Sequence, residues 1–152
     1  KNGLPKMITI QNPYSLLNRL FEIGSSEICK RENIGLLGYS PLGFGVLTGK
    51  YFDNIIPKKS RLDLFPTLKR YNGKNSIKAS VLYNDIAKKY NISLTQLALS
   101  FVNDRPFVTS NIIGATSIKQ LKENIESINV KLTDEIINEI DLVQELYPNP
   151  AP

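Results

Sequence analysis

The sequence predicts an α/β fold built on a parallel sheet. Three apolar runs of strand length, at residues 7–10, 34–39 and about 108–113, lack the polar alternation of a half-exposed antiparallel sheet. Stretches with apolar residues three and four apart lie between and after these runs, as amphipathic helices require. The resulting order is strand, helix, strand, helices, strand, helix and a terminal helix. That is the pattern of parallel strands joined by crossover helices, and no internal repeat interrupts it.

In chain order, residues 7–10 are rich in β-branched side chains, and the first strand is expected to stop where Gln11-Asn12-Pro13 takes over. Residues 25–31 read as a short helix and residues 34–39 as the second strand. Residues 40–75 hold glycines 43, 45, 49 and 73 and prolines 41, 57 and 66, too many for regular structure. Their Phe, Leu and Tyr content is too high for a disordered linker, so a long ordered loop is expected. Ala79, Leu82, Ile86 and Tyr90 then share a helix face, Asn91 suits a left-handed stop, and Ser93-x-x-Gln96 caps a helix through Leu94, Leu97, Ala98 and Phe101. After the third strand and its helix, Leu132 before Thr133 is placed to staple onto Ile137. Ile136, Ile140, Val143 and Tyr147 mark the last helix, before Pro148-Asn149-Pro150-Ala151-Pro152.

The bulk numbers exclude several classes. The net charge of +5 is scattered, and Lys58-Lys59 and Lys88-Lys89 are no more than doublets. Nothing interleaves clustered cations with aromatics, so a nucleic-acid partner is not expected; the excess charge favours a phosphorylated ligand at most. No run of about 18 apolar residues is available to span a membrane. A lone cysteine, Cys29, forms no internal disulfide, and a reducing, cytoplasmic location is expected. The opening residues, Lys1-Asn2-Gly3-Leu4-Pro5-Lys6-Met7, carry neither an initiating methionine nor a signal peptide, so the 152 residues are expected to begin inside a longer protein. About three strands also cannot close a barrel or hide both edges of an open sheet.

The most informative stretch is residues 110–124, an expected buried strand running through Gly114-Ala115-Thr116 into a helix with hydroxylic first residues. A helix N-terminus beyond a strand end offers free N–H groups to an anion, phosphate above all. Ser117-x-x-Gln120 is equally an ordinary capping box. On the helix, Thr116, Gln120 and Asn124 recur on one stripe, expected to meet a ligand. Ile118, Leu121, Ile125 and Ile128 recur on another, expected to pack.

Polar or glycine-rich sequence follows each strand: Gln11-Asn12, then Tyr39-Ser40-Pro41-Leu42-Gly43, then Gly114-Ala115-Thr116. These motifs, in this order, resemble the sixth, seventh and eighth strand ends of the aldo-keto reductase family. Residues 10–19 (Ile-Gln-Asn-Pro-Tyr-Ser-Leu-Leu-Asn-Arg) and 43–51 (Gly-Phe-Gly-Val-Leu-Thr-Gly-Lys-Tyr) are similar to its Tas-like branch. The resemblance covers nearly the whole chain and implies the C-terminal part, about strands 6 to 8 with their helices, of a (β/α)8 TIM barrel.

It also implies an NADP(H) site. Gln11 would bond the nicotinamide carboxamide, and Tyr39 would stack on its ring and fix the hydride face. Ser40, Pro41, Leu42, Gly43 and Gly45 would wrap the pyrophosphate, with Lys50 and Arg61 adding positive charge near the phosphates. Thr116 and Gln120 would hold the 2'-phosphate side of the turn at Gly114, with Glu123 and Asn124 reaching the adenine, where such barrels bind phosphate. Each residue also has a plainer reading: Tyr39 as core, Lys50 as solvated lysine, Arg61 as a loop-bracing ion pair, Asn12 and Asn18 as turn caps. The family's catalytic Asp, Tyr, Lys and His belong to earlier strands. The chain has no histidine, and none of its seven tyrosines matches the proton-donating one. The expected partners are the N-terminal part of the same barrel and a small carbonyl substrate. A non-catalytic nucleotide-binding or truncated relative is the alternative.

Overall fold

The computed structural model describes residues 3–67 and 69–152, for Asn54 the backbone alone. Lys1 and Asn2, and Leu68 within the long loop, lie outside the described residues. Strands β1 (Thr9–Pro13), β2 (Gly35–Tyr39) and β3 (Val108–Ile112) form one sheet, all parallel, in the order β1-β2-β3. The helices are α1 (Ser25–Glu32), α2 (Arg61–Leu64), α3 (Lys74–Lys89), α4 (Leu94–Asn103), α5 (Ile118–Glu126) and α6 (Asp134–Leu146). Short 3-10 turns build much of the long loop expected after β2. Spatial order equals chain order, as successive crossover connections along a barrel wall produce.

The first strand does not stop before Gln11. β1 pairs through Gln11, Asn12 and Pro13 with Leu37, Gly38 and Tyr39. Among the described residues β1 is an edge strand, and Pro13 stands at its last position, where a missing N–H costs the ladder little.

Among the described residues only one face of the sheet is covered. Leu36 is fully buried, and a Cβ on Gly38 would touch Val102 of α4 and Tyr14. The alternate residues Gln11, Leu37 and Ser110, and Pro13, Tyr39 and Ile112, lie side by side on the opposite, open face. The expectation of a buried third strand therefore fails here: Thr109, Ser110 and Ile112 of β3 are exposed. The apolar character of β2 was read correctly, but the second layer that it calls for is not among the described residues. Thr109 is an extra residue between the pairs Leu36–Val108 and Leu37–Ser110, and it packs over Gly35. A Cβ on Gly35 would collide with Thr109 Oγ1, so close approach demands glycine there.

The core sits under the covered face. α4 is buried nearly all round, and its predicted capping box forms, with Ser93 Oγ accepting from Gln96 N and Gln96 Oε1 from Ser93 N. Asn91 takes the expected left-handed conformation, and Asn33 does the same after α1. Tyr83, which the helix pattern passed over, is fully buried and donates to the Leu16 carbonyl at 3.1 Å. Arg19 joins Glu22 and Asp141 while lying over Phe101, and the Tyr14 hydroxyl donates to the same Glu22. Burial and Glu22 push the Tyr14 phenol far above its usual range.

Helix α5 reverses its expected orientation. Ile118, Leu121, Ile125 and Ile128 are 75%, 43%, 57% and 73% exposed, whereas Asn124 and Ser127 are buried. Ser100 of α4 donates to the Ser127 carbonyl at 2.8 Å, and Ser127 Oγ to the Asn124 carbonyl at 2.6 Å. Small, bonded polar groups let the two segments approach closely and leave the apolar stripe facing out. Among the described residues no helix is long and apolar enough to cross a membrane.

Candidate functional site

Pro13, Tyr39 and Ile112 align at one end of the sheet, so the three segments that follow them converge there. Gln11 is exposed on the open face, and Tyr39, half-buried, stands on that same face one residue pair further along.

The loop after β2 turns on left-handed residues: Ser40 (φ 56°), Gly43 (52°), Phe44 (56°) and Gly45 (93°). For Ser40 and Phe44 this conformation costs roughly 1–2 kcal/mol each, which the surrounding packing must offset. Pro41 is buried, and the Leu42 carbonyl accepts from Gly45 N at 2.9 Å and Leu47 N at 3.2 Å. A Cβ on Gly43 would lie 3.1 Å from Leu17 Cδ1 and 3.2 Å from Tyr71 Cδ1, so these two side chains form its walls. Tyr71 is 1% exposed and meets Phe44 edge to face, centroids 4.7 Å apart. Burial raises the Tyr71 phenol pKa, with Arg70 and a hydrogen bond to Ser40 acting against it.

Two cations are held over this loop by aromatic rings. The Arg61 guanidinium lies 4.6 Å from the Phe44 centroid, and Lys50 Nζ 5.1 Å from that of Tyr51. Lys50 also crosses Gly45, where a Cβ would meet its Cε at 2.6 Å and its Nζ at 2.7 Å. Among the described residues neither cation pairs with a carboxylate. The ion-pair reading of Arg61 thus gives way to stacking. Within the loop, Gly43 N donates to the Ser40 carbonyl and Gly45 N to that of Leu42.

The turn after β3 is built differently. Gly114 has open space on its side-chain side. Thr116 N and Oγ1 both donate to Gln120 Oε1, at 2.9 and 3.0 Å, and Gln120 N donates to Ser117 Oγ at 3.3 Å. The capping box is therefore half formed, because the Gln120 side chain has turned to Thr116. Asn124 does not face outward with Thr116 and Gln120: it is buried and donates to the Gly114 carbonyl at 3.3 Å. Glu123 Oε1 accepts from Ser93 Oγ at 2.6 Å. These four side chains lash the turn to α5 and α4.

The structure thus brings Gln11, Tyr39 and residues 40–45 with Lys50 and Arg61 to one end of the sheet, alongside the turn at Gly114–Gln120. Phe44, Tyr51 and Tyr71, the rings that hold this arrangement, were missed in the sequence. Their signal was present, since aromatics spaced through a glycine-rich loop need something to pack against.

Residues 1–145 match the aldo/keto reductase family. The protein tas of Escherichia coli (strain K12) is 47% identical over 152 residues, which is all of this chain and 44% of that protein. An aldo-keto reductase of Babesia bovis is 37% identical over 97% of this chain and 55% of its own length. L-glyceraldehyde 3-phosphate reductase of E. coli (strain K12) is 34% identical over 78% of this chain and 36% of its own. The chain therefore spans about half, or less, of the length of these relatives. With that match across nearly all its residues, and its similarity to tas along its whole length, the chain belongs to the aldo/keto reductase family, in the Tas-like branch.

Proposed function

We propose that this chain is the cofactor-holding C-terminal part of an NADP(H)-dependent aldo-keto reductase, supplying about strands 6 to 8 of a (β/α)8 barrel. The observation that carries this reading is a pair of ring-braced cations, Lys50 and Arg61, that have no carboxylate partner among the described residues. They stand over a left-handed glycine loop at the same sheet end as Gln11 and Tyr39. The open face of the sheet and the exposed stripe of α5 support a barrel completed by a preceding part.

In this reading the bound nicotinamide supplies the hydride. Gln11 orients its carboxamide and Tyr39 covers one of its faces. Ser40 to Gly45 hold the pyrophosphate through backbone and shape, and Lys50 and Arg61 neutralise phosphate charge. Thr116 and Gln120, released from each other, turn their polar atoms to the 2'-phosphate, while Glu123 and Asn124 support the adenine side. The catalytic Asp, Tyr, Lys and His come from the N-terminal part, and the substrate is a small carbonyl compound.

The test joins the chain to its N-terminal part and follows NADPH fluorescence. NADPH binding together with carbonyl-dependent NADPH oxidation is expected. Binding without turnover would favour a non-catalytic nucleotide-binding relative, and no binding would contradict the cofactor assignment. The isolated 152-residue chain is expected to bind NADPH weakly or aggregate, because two sheet edges and an apolar helix face stand open. Tight stoichiometric binding by a well-folded monomer in calorimetry would contradict this.

A further inference from the structure

We infer that residues 147–152 act as a brace that holds the glycine loop in shape, making Ala151 and Arg70 positioning residues for the nucleotide; this rests on the cofactor reading above. The segment leaves α6 through Asn149, whose left-handed backbone (φ 45°) presents Oδ1 to Arg19 N at 2.7 Å. Ala151 is then fully buried, and its N–H donates to the Leu17 carbonyl at 3.0 Å. On the other side the Pro150 carbonyl accepts from Ser76 Oγ at 2.9 Å and that of Pro152 from Arg70 Nε at 2.8 Å.

Leu17 and Tyr71 are the two walls of Gly43, and the Arg70 guanidinium lies 5.5 Å from the Tyr71 centroid. One short segment therefore grips both walls from behind, by the backbone of one and by the neighbour of the other. Phe44 packs on Tyr71 and carries Arg61, so the grip extends to a phosphate-facing cation. Residues 147–152 bury an alanine and make four hydrogen bonds to three separate segments, more than a passive turn after α6 requires.

The test uses the assembled barrel. Ala151→Asp should drive the segment off its seat. Arg70→Ala loosens one end at a position too exposed to unfold the core. Without nucleotide, both should speed amide hydrogen exchange at residues 40–49 and leave α4 protected. Both should also weaken NADPH binding, by about tenfold for Ala151→Asp and less for Arg70→Ala. Ala151→Gly keeps the N–H and loses only the buried methyl, so it should fall between the wild type and Ala151→Asp in both readouts. Unchanged exchange at residues 40–49 in both variants overturns the brace. Faster exchange with unchanged NADPH affinity overturns its role in positioning. A wild-type barrel that fails to bind NADPH overturns the cofactor reading itself, and this inference with it.

Discussion

After β2 the chain is shaped by buried rings and left-handed backbone; after β3 it is shaped by exposed side chains bonded to one another. Gly43 is walled by Leu17 and Tyr71, whereas the side-chain side of Gly114 is empty. Lys50 and Arg61 rest on rings with their charges unspent, while Thr116 and Gln120 satisfy each other. The difference separates two tasks. The loop after β2 has its shape before any ligand arrives, and its packing carries the cost of strain. The turn after β3 lies beside the uncovered stripe of α5, and in the proposed site its polar groups would have to be released to meet the nucleotide.

The sharpest way to break this contrast is to remove a ring from the first region. Tyr71→Ala in the assembled barrel should destabilise it by about 3–5 kcal/mol in denaturant unfolding, since a buried aromatic and the wall of Gly43 are lost together. Next in size is Gly45→Ala. At φ 93°, with Lys50 across the site, it should lower stability by roughly 1–2 kcal/mol and weaken NADPH binding. In the second region Ser117→Ala removes a helix cap and should cost about 1 kcal/mol or less. Smallest is Gly114→Ala, expected within about 0.5 kcal/mol of wild type because nothing lies near the new methyl group. Equal effects for Gly45→Ala and Gly114→Ala would erase the distinction between the two regions.

Much of the fold was legible because local chemistry agreed with it. The Ser93–Gln96 box, the Asn91 stop and the apolar run of β2 each carry their instruction in adjacent residues. The misreadings come from neighbours the local pattern does not reveal. Gln11 and Asn12 looked like a strand end but extend an edge strand. Ile118, Leu121, Ile125 and Ile128 looked like a packing stripe, yet the described residues offer them no partner. In the site, three ordered strand-end motifs named the candidate residues, and the glycines and prolines of residues 40–75 announced a long ordered loop. The pairing of Thr116 with Gln120 and the inward turn of Asn124 were not legible. Which hydrogen bonds a polar side chain makes depends on its rotamer and on competition among neighbours, and spacing alone does not decide it.

The account stands on Lys50, Arg61 and Gln120 serving a phosphorylated dinucleotide. Its most direct test is calorimetric titration of NADPH and NADH into the assembled barrel, wild type against Arg61→Ala combined with Gln120→Ala. A loss of NADPH affinity of about tenfold or more, with NADH much less affected, is the predicted result. Equal losses for the two nucleotides would contradict the assignment of these residues to the 2'-phosphate.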